Sequence, residues 1–121
     1  PCAGQGTVVI ETLDNDHTLN SLLDKISCKQ TAFLTQIERG VLSGLGGSCL
    51  LPIGIHAFYE NKDICCNISI FDNLGQSLKQ SSVFSNNTTH EQIIKQTIND
   101  LYKNNVNMIL SALGLEPISQ Y

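Results

Sequence analysis

Three features of this 121-residue sequence predict an α+β fold, a three-stranded antiparallel sheet with helices packed on one face. Three β-rich runs, Ile53–Tyr59, Asp63–Phe71 and Gln76–Phe84, follow one another across short connections, which favours a meander. In the middle run Ile64, Cys66, Ile68 and Ile70 alternate with Cys65, Asn67 and Ser69, the pattern of a half-buried strand. Amphipathic helical stretches flank the runs on both sides, and two helices on one face of a sheet make a two-layer domain. An extra strand and an extra helix are expected ahead of this unit.

The extra strand is the β-rich run 7–12, Thr-Val-Val-Ile-Glu-Thr, after a glycine-rich opening. The extra helix covers 15–26, capped by Asp14 or Asp16, with Leu19, Leu22, Leu23 and Ile26 at helical spacing. A second helix is expected over about 28–45, with Ser27 and Gln30 as a capping box. Phe33, Ile37, Val41 and Leu45 line one face of it, and Leu34 and Leu42 widen that face. Gly40 and Gly44 weaken this helix by roughly 1 kcal/mol each relative to alanine. They permit close approach of another backbone, or are simply tolerated.

Gly46 and Gly47 suit the helix C-terminus, and Pro52 opens the next strand. Cys49 therefore sits at a junction between elements. Asp72-Asn73-Leu74-Gly75 marks a turn after the second strand, and the strand phasing places Cys66 in the core and Cys65 outside. The last helix starts near Thr88, with Thr88 and Glu91 as a capping box. Its inner face carries Ile94, Ile98, Leu101 and Tyr102, with Ile93 beside them. Asn104-Asn105 interrupts it before a final turn with Met108, Ile109, Ala112 and Leu113, ended by Gly114 and Pro117.

Composition narrows the function classes. The net charge is −4 with only seven Lys and Arg, which argues against nucleic acid as a partner. No apolar run is long enough to span a bilayer, and residues 1–3 do not resemble a signal peptide. With no initiating methionine, the chain is expected to be an excerpt. Five cysteines at 2, 28, 49, 65 and 66 form no regular framework, which suggests reduced thiols and a cytosolic setting. No Cys-x-x-Cys pair exists, and His17, His56 and His90 are scattered, so no metal site is expected. Sequons at Asn67, Asn86 and Asn87 carry no meaning in a cytosolic protein.

Two stretches resemble segments of one enzyme family. Glu38-Arg39, a hydrophobic helix, Leu45-Gly46-Gly47-Ser48-Cys49 and then Pro52-Ile53-Gly54 is similar to the cysteine segment of the porphobilinogen deaminases. Pro1-Cys2-Ala3-Gly4-Gln5-Gly6-Thr7-Val8-Val9-Ile10-Glu11 resembles a second segment of that family, in the family's order. Ser48, Leu51 and Leu13 depart from the family's usual residues, the last where a basic residue is common.

The resemblance implies that the chain is the carboxy-terminal part of such an enzyme. Residues 1–26 would end the second domain and return toward the first, and residues 27–121 would form the cofactor-carrying domain. Cys49 would hold a dipyrromethane cofactor through a thioether, with Gly47, Ser48 and Gln5 in its vicinity. The full-length enzyme would be a cytoplasmic monomer. It would condense four porphobilinogen units into hydroxymethylbilane with loss of ammonia, in heme and other tetrapyrrole biosynthesis. The resemblance puts the catalytic aspartate and the substrate-binding arginines in the missing amino-terminal domains, so no catalytic residue is expected here and the excerpt would be inactive alone. This chain has one arginine, Arg39.

The residues themselves meet the demands of that role. Sulfur is the natural nucleophile for an electrophilic methylene-pyrrole, and small neighbours leave room beside it. Gly4-Gln5-Gly6 would allow close backbone approach to the cofactor or simply form a turn. Glu38 and Arg39 are either an ion pair or solvated helix residues, with a structural role expected. A lone cysteine is most often an inert buried residue, and Cys2, Cys28, Cys65 and Cys66 are read that way. The alternative to an enzyme part is a small α+β metabolite-sensing regulatory module.

Overall fold

Glycines and asparagines fix the corners of this chain and the apolar repeats fix its layers. A computed structural model describes residues 1–121. The elements run α1 (His17–Leu23), α2 (Lys29–Gly44), β1 (Ile53–Glu60), β2 (Asp63–Phe71), β3 (Ser77–Phe84), α3 (His90–Lys103) and α4 (Val106–Ala112). The sheet is antiparallel in the order β1-β2-β3. Register pairs Ile55 with Ile68 and Ile68 with Gln80. A two-residue turn joins β1 to β2, with positive φ at Asn61 (49°) and Lys62 (77°) as a tight hairpin of matching twist requires. At the next turn the Asp72 carboxylate accepts from the backbone N–H groups of Leu74 and Gln76.

The helices cover one face of the sheet, α2 over β1 and α3 with α4 over β3. Ile37, Val41 and Leu45 of the α2 face meet Ile53, Ile55, Ile64, Cys66, Ile68 and Ile70 of the sheet in one core, closed by Ile93, Leu101, Val106 and Leu110. Gly40 and Gly44 let α3 approach: a Cβ added at either would lie 2.2 Å from Cδ1 of Ile94 or Ile98. The close approach involves isoleucine side chains of α3 rather than its backbone. The opposite sheet face carries His56, Asn67, Lys79 and Ser81, all exposed. Beyond α4 the chain folds back, with the Asn107 amide pairing with both backbone groups of Ile118 at 2.9 Å.

Several local expectations are corrected. No strand forms over 7–12: Val8 and Val9 are 91% and 79% exposed, and no neighbouring strand pairs with them. Helix α1 exists, capped by Asp16, but it buries no residue. Cys28, not Ser27, is the cap of α2, and it makes no side-chain capping bond to the backbone. The capping box of α3 is Thr89 with Gln92, one residue later than Thr88 with Glu91. Tyr102 and Ala112 are exposed and Met108 is 71% exposed, whereas Thr97, Val106 and Leu110 are buried. The left-handed Asn105 (φ 59°) starts a new helix and rotates its apolar face relative to α3. Cys65 does lie on the outer sheet face, but Phe58 and Val83 flank it across the strands and leave it 5% exposed.

Candidate functional site

The end of α2 is built to stop. Gly46 has φ of 65°, its N–H donates to the Ser43 carbonyl at 2.9 Å, and the Gly47 N–H donates to the Leu42 carbonyl at 3.0 Å. This pair of bonds is a Schellman cap, which requires a residue comfortable in the left-handed region at Gly46. Gly47 is packed: a Cβ there would lie 2.7 Å from Cδ1 of Leu42 and 3.1 Å from Cδ1 of Ile53. Residues 48–51 then form a turn, closed by the Leu51 N–H on the Ser48 carbonyl at 3.1 Å. Ser48, Cys49 and Leu50 are all exposed on it, and the Cys49 thiol is free.

The opening segment lies against the same corner. The Ile55 N–H, on the free edge of β1, donates to the Pro1 carbonyl at 2.9 Å. Pro1 passes so close to Gly54 that a Cβ there would meet its carbonyl at 3.4 Å. The next outward donor on that edge, the Ala57 N–H, goes to Oε1 of Glu38 at 2.8 Å. The other oxygen of Glu38 accepts from the Gly4 N–H at 2.6 Å, and His56 Nδ1 stands 3.6 Å from Oε1. One buried carboxylate thus ties α2, the edge of β1 and the opening segment together. It also blunts an edge that would otherwise offer unpaired backbone groups.

The thiol of Cys2 reaches the corner, its Sγ 4.0 Å from the Cys49 carbonyl oxygen. Gln5 does not: its side chain accepts from the Cys2 N–H at 3.0 Å and serves its own turn. The two sequence segments that suggested a family, 47 residues apart from Cys2 to Cys49, therefore meet in space.

No family model matches the chain. Over 89 residues, 73% of its length, it is 36% identical to the porphobilinogen deaminase of Limosilactobacillus reuteri and covers 29% of that protein. It is 34% identical over 76 residues to the enzyme of Coxiella burnetii, covering 63% of this chain and 24% of that one. With that of Francisella tularensis subsp. novicida it shares 28% over 89 residues, 74% of this chain and 30% of the relative. The chain is a segment of the porphobilinogen deaminase family. It spans about 29% of the length of the first of these relatives.

Of the residues singled out for a deaminase role, Gly47, Ser48 and Cys49 lie together on the corner, whereas the Gln5 side chain is turned to its own segment. Glu38 is structural, as expected, but its partners are backbone N–H groups and His56 rather than Arg39. Cys2, expected from the sequence to be an inert thiol, lies beside Cys49. Only the tertiary docking of residues 1–4 reveals it.

The other thiols are set apart by environment. Burial pushes the Cys66 thiol up to about 12, helped by the charge of Glu38 and by Cys65. Burial and then Glu60 raise Cys65. The Thr31 hydroxyl, which donates to Cys28 Sγ at 3.2 Å, holds Cys28 below the usual thiol range, with help from nearby backbone N–H groups. No helix is long and apolar enough to cross a membrane.

Proposed function

We propose that this chain is the carboxy-terminal, cofactor-carrying part of a porphobilinogen deaminase, and that Cys49 is the attachment residue for its dipyrromethane. The observation that carries the reading is the meeting of the two family segments at the Cys49 turn. The residues fit the group: a free, exposed sulfur stands on a turn whose preceding residues, Gly47 and Ser48, are small, and Leu50 beyond it points to solvent. When bound, the dipyrromethane supplies the terminal pyrrole carbon that primes addition of porphobilinogen units. What the chain's own residues contribute is position. The Schellman cap halts α2 and Pro52 opens the strand, so the thiol is held outside the core. Glu38 and the docked segment fix the sheet edge below it.

The acidic side chains of pyrrole substrates call for guanidinium partners. The single arginine, Arg39, cannot supply a set of them. In this reading the remaining polypeptide of a full-length, monomeric, cytoplasmic enzyme provides them, together with the acid that handles protons. Residues 1–26 then belong to the end of the second domain and the return segment, and the chain alone is inactive. The regulatory-module alternative has no relative among those named above to support it.

The test is an intact mass of the full-length enzyme with peptide mapping across Cys49. A mass excess of one dipyrromethane on that peptide, absent in Cys49→Ser, is the expected result. An unmodified Cys49 in freshly purified, active enzyme would overturn the assignment. Turnover of porphobilinogen by the 121-residue chain alone would overturn its inactivity.

A further inference from the structure

Two free, exposed thiols from segments 47 residues apart stand at one corner of the fold, Cys2 Sγ being 4.0 Å from the Cys49 carbonyl oxygen. We propose that Cys2 is the redox partner of Cys49: in the chain lacking cofactor the two form a reversible disulfide that closes the Cys49 sulfur to other chemistry.

The geometry favours the pair on both sides. Residues 1–4 are anchored to the sheet edge by the Pro1–Ile55 and Gly4–Glu38 bonds, which flank Cys2 and place it at the corner. The turn carrying Cys49 is exposed and short, tied internally by the Leu51–Ser48 backbone bond and the weaker bond from the Leu50 N–H to Ser48 Oγ at 3.4 Å. Little has to be broken for it to bring sulfur to sulfur at bonding geometry. No other thiol competes. Cys65 and Cys66 are buried in β2, and Cys28 caps the far end of α2, sixteen residues of helix away.

The oxidant is a low-molecular-weight disulfide such as glutathione disulfide. One protein thiolate attacks it, forming a mixed disulfide and expelling one glutathione thiolate. The second protein thiolate attacks the protein sulfur of that mixed disulfide and expels the other. Two protein thiols are oxidised, one glutathione disulfide is reduced to two glutathiones, and the two protons lost by the protein are taken up by the leaving thiolates. The second step is intramolecular and therefore outruns attack by free glutathione. A thioether on Cys49 would remove the pair permanently. In that sense the disulfide guards the site before the cofactor is in place, and this consequence rests on the attachment reading above.

The experiment treats the reduced chain with glutathione disulfide, alkylates remaining thiols and maps the peptides without reduction. The expected product is a Cys2–Cys49 linked peptide, with loss of Cys49 alkylation that dithiothreitol restores. In Cys2→Ala, Cys49 should instead carry one glutathione. Cys28, exposed and reactive, reports in the same map that the oxidant has acted. Separate glutathione adducts on Cys2 and Cys49 beside a modified Cys28 would overturn the pairing, as would the same link forming equally in urea. A linked pair in a protein whose full-length form never gains a pyrrole adduct would sink the attachment reading and leave the thiol pair standing. An adduct on Cys49 with no link in the cofactor-free chain would do the reverse.

Discussion

Helices α1 and α2 carry apolar stripes of the same periodicity, yet α2 buries Ile37 and Val41 completely, and Leu45 just beyond its end, whereas α1 buries nothing. Leu22 and Ile26 stand 54% and 73% exposed, and Val8, Val9 and Ile10 just before them are open as well. Periodicity describes the face a helix can offer and says nothing of whether a partner is present to cover it. A seven-residue helix lies below the length at which helices hold alone in water, and α1 leans on its Asp16 cap. The α2 stripe, by contrast, lies on the sheet, where each fully buried aliphatic side chain contributes on the order of 1.5–3 kcal/mol.

That contrast can be tested from its strong side first. Ile68 lies at the centre of the sheet core, 1% exposed, between β1 and β3. Ile68→Ala removes buried methyl groups and leaves a cavity, so urea unfolding should show a loss of about 2–5 kcal/mol. A loss below about 1 kcal/mol would mean that the core is far looser than described.

The join between the regions comes next. Glu38→Ala deprives the Gly4 and Ala57 N–H groups of a charged acceptor. It should cost about 2–3 kcal/mol and expose residues 1–7 to faster limited proteolysis. Unchanged proteolysis would show that the docked segment holds by other means.

A third test uses pH. In the folded chain Cys66 is held at about 12 against an ordinary 9.0. Below pH 9 both states keep the proton, and the contribution of the neutral thiol is fully present. Above it the unfolded chain releases the proton first, so stability falls as pH rises toward 12. The loss reaches about 1.4 kcal/mol at pH 10. Cys66→Val should lose correspondingly less between pH 8.5 and 10, and identical pH curves for the two proteins would refute the burial argument.

Much of this was legible in the sequence. The three strands, their order and the long helices follow from alternation, helical repeats and short Gly/Asn/Asp turns, all of which are local signals. The Cys49 corner was legible too, because Gly46 accepts the left-handed turn that ends a helix and Pro52 cannot continue one. What stayed hidden depends on tertiary neighbours. Val8-Val9-Ile10 has strand composition but pairs with no strand, and the nearby edge of β1 is taken by Pro1 and Glu38. The inner face of α4 turned on the left-handed Asn105, which moved Met108 out and Leu110 in. The buried role of Glu38 had no local signal beyond its place beside Ile37.

A smaller effect probes how tightly the helical layer is set. At Gly44 an added Cβ would strike Cδ1 of Ile98, which is fully buried and cannot swing aside; at Gly40 it would strike Ile94, which is half-buried and has room to rotate. Gly44 is the last residue of α2, so alanine gains little helix propensity there. Gly44→Ala should therefore cost about 1–2 kcal/mol by overpacking. Gly40→Ala should come out near neutral, its clash offset by roughly 1 kcal/mol of propensity. Thermal unfolding of the two variants side by side checks the order, and the reverse order would contradict the packing of α3 on α2.

The smallest effect tests the weak side of the contrast. Val9 is 79% exposed and touches no part of the core. Val9→Ser should change stability by no more than about 0.5 kcal/mol, the range of ordinary surface substitutions. Because it removes an exposed apolar group, it should also improve solubility. The same substitution at Ile37, one of the completely buried residues of the α2 stripe, would unfold much of the chain. A loss above about 1 kcal/mol at Val9 would mean that residues 8–10 have a covering surface in solution. Dilution would then identify it: a loss that shrinks at low concentration points to a second copy of the chain, and one that does not points to the chain's own body.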